Sequence, residues 1–416
     1  MGCEMKYDCL VLGAGIVGIS AALHLQKRGR SVVMVDRRPA AEETSHGNAG
    51  IIQTEAVQAY SFPRQLGQIL RYALNGHSEA RLHYSALPEV GMWLWKYWRH
   101  GSPEHVRKTA EGLIPLVRQC MAEHEALIDE AGVGKLLRRN GYLKVYRDAS
   151  VLGQAVIEQQ GLKNRFGVNY EAVDLARLRE LEPHLAGLAG GIFLPDPASV
   201  SDPGAVGKVY CELFQKHGGT FLTADAQRLE ATVDGWQVQS VTGPIEAREA
   251  VLALGIWSRD VLAGLGVRVP LQAKRGYHMH YGSQGTASLN RPVLDADNGY
   301  VLAPMRKGVR LTTGAEFARN SAPPSPVQLG LVEPHARRLY PLAERIDERA
   351  WMGQRPCLPD MLPMVGEIPG HKGLWANFGH QHLGFTLGPV TGRLLAEAMT
   401  GGEAFADIQP YKVDRF

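Results

Sequence analysis

Three glycines near the start of the sequence have the spacing G-x-G-x-x-G, at Gly13, Gly15 and Gly18. In this spacing the first glycine allows a tight turn, the second lets the backbone approach a pyrophosphate, and the third lets a helix pack closely on a strand. Amide groups at the start of that helix attract phosphate oxygens because they carry partial positive charge. We therefore predict that these glycines, with Ile16 and Val17, bind the diphosphate of a dinucleotide.

The residues around the motif supply the elements that position it. An apolar run over 9–12 predicts a strand, and the apolar spacing over 19–26 predicts a helix after the glycine turn. A second strand over 31–35 ends at Asp36, whose carboxylate can accept hydrogen bonds from ribose hydroxyls and would repel the extra phosphate of NADP. This context favours a dinucleotide-binding βαβ unit over the alternative that the glycines serve packing alone.

The composition is that of an ordinary globular protein. The 416 residues include 45 Lys and Arg against 42 Asp and Glu, and this balance argues against a nucleic-acid partner. Apolar residues make up 45% of the chain, yet no apolar run reaches the roughly 18 residues that span a bilayer. The length predicts two or three domains, and the 47 glycines indicate tight turns or close approach to a ligand.

The first residues and the cysteines predict a cytoplasmic protein. The N-terminal region lacks the apolar core of a signal peptide, and the odd number of cysteines without a C-x-x-C pair fits a reducing compartment. Met1-Gly2-Cys3 resembles a lipidation site, but Lys6 stands where that pattern requires Ser or Thr. We therefore expect no lipid anchor at these residues.

A polar, glycine-rich segment follows the second predicted strand, over 44–52. Its small residues and backbone amides would let a flat ring system lie against the chain, which NAD does not require at this position. The candidate cofactor-binding residues of this region are Arg37, Ser45, His46, Asn48, Ala49, Gly50 and Ile51.

The glycine motif, Asp36-Arg37 and Ser45-His46-Gly47-Asn48-Ala49-Gly50 together resemble the DAO family of FAD-dependent oxidoreductases, in particular its D-amino-acid dehydrogenase and glycine oxidase members. The resemblance covers nearly the whole chain and is strongest over 8–52, 250–258 and 351–395. It implies that FAD binds without a covalent bond. The further cofactor contacts that it implies are Ala226, Ala253, Gly255, Trp257, Gly379, His380, Leu383, Gly384, Phe385 and Thr386.

Arg355 is the best candidate for binding a substrate. It lies between Gly353 and Pro356, which fix the path of the chain and present the guanidinium as a planar fork for a carboxylate. An arginine in a loop is more often solvated or paired with a protein acid, but the resemblance implies that this one binds the carboxylate of an amino acid. The other polar residues expected in the pocket wall are Tyr277, His278, Tyr300 and His382, of which His382 replaces a smaller family residue.

Two histidines in one predicted strand, His278 and His280, would share a face of that strand. As a metal pair they lack a clear third ligand, so we predict no metal site and expect them in the pocket wall or at the surface.

The order of predicted elements indicates the α/β class, with an α+β substrate part. We expect a Rossmann-like FAD-binding domain over 1–60, 150–268 and 351–416. It is interleaved with a substrate domain over 61–149 and 269–350, built on a largely antiparallel sheet.

A helical stretch predicted over 66–100 contains Trp93, Trp95 and Trp98 beside basic residues. This composition suits a membrane interface or a quinone-facing patch, whereas a helix packed into the core is the commoner arrangement for tryptophan. The resemblance to membrane-associated dehydrogenases of the family keeps open a peripheral attachment to the inner face of the cell membrane.

The resemblance implies oxidation of a D-amino acid by hydride transfer from Cα to the flavin, which gives an imine that water hydrolyses to a 2-oxo acid. Positioning does most of this work, and no general base is obligatory. Electrons would pass to a quinone or another acceptor. The alternatives are a D-proline or D-hydroxyproline dehydrogenase, a glycine or sarcosine type oxidase that uses oxygen, and an FAD-carrying scaffold subunit without activity.

Overall fold

The computed structural model of the chain describes residues 7–241 and 243–416. The expectation of no lipid anchor concerns the first three residues and lies outside these ranges. Within them, every helix is too short or too polar to cross a membrane. The four cysteines in these ranges are buried free thiols.

The described ranges contain ten α-helices and 21 strands, joined by loops and short 3-10 turns. The helices are α1 (Ile16–Gln26), α2 (Leu66–Ala73), α3 (Leu87–His100), α4 (Pro103–Glu130), α5 (Ala149–Phe166), α6 (Leu175–Leu181), α7 (Pro203–Lys216), α8 (Ser258–Gly264), α9 (Val327–Leu339) and α10 (Gly384–Met399). The strands are β1 (Tyr7–Leu12), β2 (Val32–Asp36), β3 (Ile51–Ile52), β4 (Ala80–Leu82), β5 (Leu137–Arg138), β6 (Tyr142–Tyr146), β7 (Glu171–Val173), β8 (Gly190–Leu194), β9 (Ala198–Val200), β10 (Thr220–Ala231), β11 (Trp236–Ser240), β12 (Gly243–Leu252), β13 (Gln272–Ser283), β14 (Val293–Asp295), β15 (Tyr300–Met305), β16 (Gly308–Thr312), β17 (Ala315–Phe317), β18 (Leu342–Arg345), β19 (Trp351–Cys357), β20 (Met364–Glu367) and β21 (Leu374–Phe378).

A seven-stranded sheet holds the predicted βαβ unit. Strands β10, β2, β1, β12 and β21 lie side by side in that order and run parallel. β20 adds an antiparallel edge, and β11 joins β10 to β12 as an antiparallel ribbon. Helix α1 begins at Ile16, three residues before the predicted start, so the amides of the glycine turn lie directly at its N-terminus.

Helices α1 and α10 pack closely against each other beside this sheet. A Cβ on Gly392 would lie 2.7 Å from the carbonyl carbon of Ser20, so the two helix backbones approach without side chains between them. Gly388 contacts Ile16 in the same way. The N-termini of both helices therefore lie on the same side of the sheet.

The second layer is an eleven-stranded sheet, and most of its pairs are antiparallel, as expected for the substrate domain. The pairs β14–β6 and β17–β4 are parallel exceptions. Strands β7 and β8 belong to this sheet, although we assigned 150–268 to the FAD-binding domain. Strand β19 also belongs to it, because it pairs with β13 from Gln272–Cys357 to His278–Trp351. Glycine and proline are uncommon in strands, so the residues around Arg355 did not indicate that this segment continues the substrate sheet.

The helical stretch expected over 66–100 is interrupted. Asn75 has a positive φ of 54° and ends α2, and β4 then pairs with β17 before α3 begins. None of the residues of α2 is buried. In α3, Trp93 is 5% exposed, whereas Trp95 and Trp98 are 49% and 37% exposed. The aromatic stretch therefore has one face in the core and one face in solvent.

Candidate active site

One cavity of about 760 Å³ is lined by residues of both sheets. It extends from the glycine turn after β1 to the face of β13 and β19. The predicted cofactor-binding residues that line it are Gly13, Gly15, Ile16, Val17, Asp36, Arg37, Ser45, Asn48, Ala49, Ile51, Ala226, Ala253, Gly255, Trp257, Gly379, His380, Gly384 and Phe385. Gly18, His46, Gly50, Leu383 and Thr386 lie outside the lining.

The glycine turn is built from backbone atoms in close contact. Gly13 has a φ of +107°, and a Cβ there would lie 2.5 Å from the carbonyl oxygen of Ala253. A Cβ on Gly18 would lie 1.9 Å from the carbonyl oxygen of Gly13, which explains why Gly18 is required although it lies behind the cavity. Gly15 faces the cavity, and the Ile16 amide donates to Ser45 Oγ at 2.9 Å.

Asp36 lies at the end of β2 and borders the cavity. Its carboxylate accepts hydrogen bonds from the Ala14 amide at 2.7 Å and the Arg38 amide at 3.1 Å. Burial raises the pKa of Asp36. The neighbouring Arg37 guanidinium lies 4.5 Å from the centroid of the Trp257 ring, so the turn after β2 contacts the turn after β12.

The loop over 44–52 is fixed by contacts from residues that lie outside the cavity lining or at its edge. Arg310 donates to the carbonyl oxygens of His46 and Asn48. A Cβ on Gly47 would overlap the ring of Trp351, and the Gly50 carbonyl accepts from the Val200 amide at 2.7 Å. His46 and Gly50 thus fix the loop, whereas Ser45, Asn48 and Ala49 present it to the cavity.

The segment before α10 closes another side of the cavity. His380 Nε2 lies 2.9 Å from Thr391 Oγ1, and burial lowers the pKa of His380 to about 3. Thr386 Oγ1 accepts from the Gln53 amide at 3.1 Å, and Leu383 packs in the core, so these two side chains anchor the segment. The N-terminus of α10 lies at the cavity through Gly384.

Arg355 extends along β19 against Gly276 of β13. Its Nη1 donates to the Gly314 carbonyl at 2.8 Å and its Nη2 to the Thr313 carbonyl at 3.2 Å. These bonds use two of its five N–H donors. Within residues 7–241 and 243–416, its ion-pair shell out to 4 Å contains no carboxylate, and burial lowers its pKa. The side chain is a cavity-lining cation with donors left for an anion.

Of the other residues expected in the substrate pocket, His382 and Tyr277 line the cavity and His278 and Tyr300 do not. The Tyr277 hydroxyl donates to Glu316 at 2.6 Å and accepts from Arg275, so it belongs to a buried network rather than to a ligand. His278 stacks on Trp351 and Tyr300 is 1% exposed in the core of the large sheet. Alternation along a strand does not distinguish a cavity from a packed core.

The histidine pair has a third possible ligand that the sequence did not indicate. Candidate ligand atoms of His278, His280 and Asp347 lie within 4.8 Å of one another. However, Arg310 Nε donates to His280 Nε2 at 3.0 Å, and Lys307 forms an ion pair with Asp347. Because cations already bind two of these three side chains, we interpret the cluster as a support for Arg310, which in turn holds the loop over 44–52.

Residues 8–398 match the family described as DAO: FAD dependent oxidoreductase. The chain belongs to the DAO family. It is 28% identical to a D-amino-acid oxidase of Bradyrhizobium diazoefficiens over 98% of both chains. It is also 28% identical to a D-amino acid dehydrogenase of Dechloromonas aromatica, over 94% of this chain and 96% of the relative. A crystal structure of glycine oxidase from Geobacillus kaustophilus has the same fold, with a TM-score of 0.75, 21% identity and coverage of 99% and 100%.

The DAO-family enzyme is therefore an FAD-dependent oxidoreductase, and the expected fold is confirmed. Its residues fit that cofactor. A Cβ on Gly15 would have only Ser45 Oγ within 4 Å, at 3.4 Å, so the absence of a side chain there leaves the backbone accessible from the cavity. Two helix N-termini and a loop of small residues line the same cavity, as a dinucleotide with a flat ring requires.

Two lysines of the cavity were not expected from the sequence. Lys274 of β13 and Lys144 of β6 both line it. Lys274 is 8% exposed in a strand that is buried on both faces over Gln272–Tyr281. A lysine in such a strand must meet a cavity or an acid, and this is the signal that could have identified it.

Proposed function

We propose that this enzyme oxidises the carbon–nitrogen bond of a D-amino acid to an imine, which water hydrolyses to a 2-oxo acid. The observation that carries the proposal is Arg355, a cavity-lining cation with no acid beside it in the described ranges and with unused donors. A carboxylate is the ligand that this planar fork binds best. The names of the relatives, D-amino-acid oxidase and D-amino acid dehydrogenase, support the substrate class.

The cofactor would lie along the cavity from the glycine turn to the segment before α10. We assign its diphosphate to Gly13, Gly15 and the N-terminus of α1, and its ribose to Asp36. Its ring system would lie between the loop over 44–52 and the segment around Gly384. When bound, FAD would accept the hydride from the substrate Cα.

Residues at the other end would orient the substrate. Arg355 would bind its carboxylate through two parallel N–H donors and fix the direction of the Cα–H bond. Burial, reinforced by Arg355 and Lys274, lowers the pKa of His382 to about 3. His382 is therefore a neutral imidazole whose free nitrogen can accept a hydrogen bond from the substrate amine.

The charge of the pocket would also favour the reactive form of the amine. Loss of a hydride from Cα requires the nitrogen lone pair, which an ammonium group lacks. Arg355 and Lys274 both line the cavity, and a nearby positive charge lowers the pKa of an amine. The substrate would lose a proton from its ammonium group to solvent on binding, and no protein base is needed for that step.

An anaerobic titration of the FAD-loaded enzyme tests the proposal. D- and L-amino acids, proline enantiomers, glycine and N-methylglycine are added in turn, and loss of the flavin absorbance near its visible maximum is recorded. Bleaching by primary D-amino acids but not by their L-enantiomers supports the proposal. Bleaching by D-proline alone would indicate an imino-acid dehydrogenase, and bleaching by glycine and N-methylglycine a glycine or sarcosine type enzyme. No bleaching by any of them would indicate a scaffold.

We propose that the electron acceptor is a membrane quinone reached through the surface of α2 and α3. Leu66 and Leu70 of α2 and Leu74, the residue after it, are 70%, 54% and 75% exposed, and α2 has no buried residue. Arg64 and Arg99 lie over Trp98 and Trp95 at 4.8 and 5.0 Å. The three leucines offer apolar area and the arginines offer charge for anionic lipid headgroups.

The cavity approaches this surface through Tyr60, which is 58% exposed, and through Phe62 and Tyr72. Sedimentation with vesicles of anionic phospholipid, compared with vesicles of neutral phospholipid, measures the attachment. Leu70→Glu should abolish sedimentation and lower the rate with a vesicle-borne quinone, while the rate with a water-soluble dye is retained. Reoxidation of the substrate-reduced enzyme by dissolved oxygen alone at a rate that matches turnover would contradict the quinone assignment.

A further inference from the structure

Lys274 has an unusual environment for a buried cation. Its Nζ lies 3.8 Å from the ring centroid of Tyr97, 5.3 Å from that of Trp93 and 5.9 Å from that of Phe317. The ammonium donates a hydrogen bond to Met361 Sδ at 3.9 Å, which is a weak acceptor. In the part of the chain that the structure describes, its surroundings out to 4 Å offer no carboxylate.

Within the described residues, two cations in or beside the large sheet are paired with buried carboxylates, which Lys274 and Arg355 are not. Arg275, next to Lys274 on β13, forms an ion pair with Glu316 at 3.0 Å. Arg291 forms one with Glu182 at 3.1 Å. Lys144, the other lysine of the cavity, is attracted by the buried Glu55. A buried charge without a partner is costly. Because no protein carboxylate in the described ranges compensates Lys274, we infer that a bound ligand supplies the negative charge.

Lys274 and Arg355 lie side by side on one wall of the cavity. They are register partners of the antiparallel pair β13–β19, so their side chains leave the same face of the sheet. Both line the cavity, and the charges of both act on His382. The three rings lie around the Lys274 ammonium, and they attract its charge without accepting its protons in ordinary hydrogen bonds.

We propose that Lys274 binds a second carboxylate, carried by the side chain of the substrate, and that the enzyme prefers acidic amino acids. The inference rests on the proposed function, in which Arg355 binds the α-carboxylate. One monocarboxylate would satisfy Arg355 and leave Lys274 unpaired. A dicarboxylate of the size of aspartate or glutamate supplies an anion for each cation, and the aromatic rings limit the room beyond the ammonium.

Equilibrium binding of unreactive acids tests the site apart from turnover. Succinate and glutarate are titrated against butyrate and valerate, with the spectrum of the bound flavin and the thermal unfolding midpoint as readouts. We expect the dicarboxylates to bind about 100-fold more tightly than the monocarboxylates, as for a buried charge pair. Lys274→Met should remove the difference. Lys144→Met removes the cavity lysine that Glu55 attracts, and it should leave the preference for dicarboxylates unchanged. Lys274→Arg should retain most of that preference.

The amino-acid panel separates the two proposals. D-aspartate and D-glutamate should bleach the flavin at concentrations far below those needed for D-alanine, and Lys274→Met should equalise them. Equal binding of di- and monocarboxylates by the unsubstituted enzyme would overturn the role of Lys274, whether or not the variants fold. The proposed function would stand in that case if D-alanine bleaches the flavin. Tight dicarboxylate binding without bleaching by any amino acid would instead overturn the proposed function and retain the site.

Discussion

At the cofactor end of the cavity the chain approaches itself through backbone atoms, whereas at the substrate end side chains from distant segments converge. Gly13 and Gly18 meet carbonyl oxygens of Ala253 and Gly13. Arg355 instead meets Gly276 through the tip of its guanidinium, and Lys274 meets three aromatic rings. The backbone atoms of Gly13 and Ala253 directly follow buried strands and have little freedom to move aside, whereas the end of a long side chain can move. The two ends should therefore respond differently to the same small change.

The largest expected effect comes from Gly13→Ala at the cofactor end. The new methyl group would lie 2.5 Å from the Ala253 carbonyl oxygen, at a φ of +107° that alanine rarely adopts. Strain and displacement of the turn should weaken FAD binding by at least about 100-fold. Flavin absorbance of the purified protein and titration of the apoprotein with FAD measure the loss.

Gly153→Ala is the matched control, because a Cβ at this position of α5 meets no atom within 4 Å. It should leave FAD binding unchanged and stabilise the helix slightly. A Gly13→Ala protein that retains the FAD affinity of the control would show that the turn is more yielding than its backbone contacts indicate.

A second prediction concerns the anchor at the substrate end. Arg355→Lys keeps the positive charge but removes the planar fork. Loss of a bidentate, charge-assisted contact of about 3 kcal/mol should raise the amino-acid concentration needed for flavin bleaching by about 100-fold. FAD content should be unchanged, because Arg355 lies at the other end of the cavity. Unchanged bleaching by the variant would remove Arg355 from the substrate site.

Gly276→Ala gives the most direct test of the difference between the cofactor end and the substrate end. A Cβ there would lie 2.5 Å from Arg355 Nη2, as close as the contact at Gly13, but its neighbour is the end of a flexible side chain. We expect the fold and the FAD affinity to survive and the substrate affinity to fall by about tenfold, since the guanidinium must shift. Thermal unfolding, FAD titration and bleaching distinguish these effects. Loss of FAD from this variant would contradict the proposed difference between the two ends.

The same difference explains how much the sequence could predict. Gly13, Gly15 and Gly18 have a fixed spacing because one turn and one helix create the site, so their arrangement was readable from a short segment. The fold class and the cofactor followed from the elements around them. The substrate end depends on register between β13 and β19, which lie about 80 positions apart and reveal their pairing only in the structure.

Two residues illustrate what alternation along a strand leaves undecided. Tyr300 and His278 lie in strands of the expected type, yet one packs in the core and the other stacks on Trp351. Lys274 is the reverse case, because it lines the cavity and was not predicted to. Nothing in the sequence around it shows that Trp93, Tyr97 and Phe317 surround it. Such contacts arise from chain segments separated by more than 40 residues, so composition and period carry no trace of them.

The smallest effect tests how tightly the cofactor end is sealed against water. His124 of α4 is fully buried, donates from Nε2 to the Phe385 carbonyl at 2.7 Å and stacks on the Phe385 ring. Burial lowers its pKa to about 4. Below pH 6.5 the unfolded chain therefore binds a proton at this position that the folded protein does not bind, so stability falls as the pH decreases towards 4.

His124→Gln removes this titration while an amide group remains to donate. The difference in unfolding free energy between the unsubstituted protein and the variant should change by about 1.4 kcal/mol between pH 7.5 and 5.5, in favour of the variant at the lower pH. Denaturant unfolding at both pH values, at a fixed FAD concentration, measures it. Other buried histidines titrate in both proteins and cancel. A pH-independent difference would mean that water reaches His124 and that the backbone-built end is less closed than the contacts around Phe385 indicate.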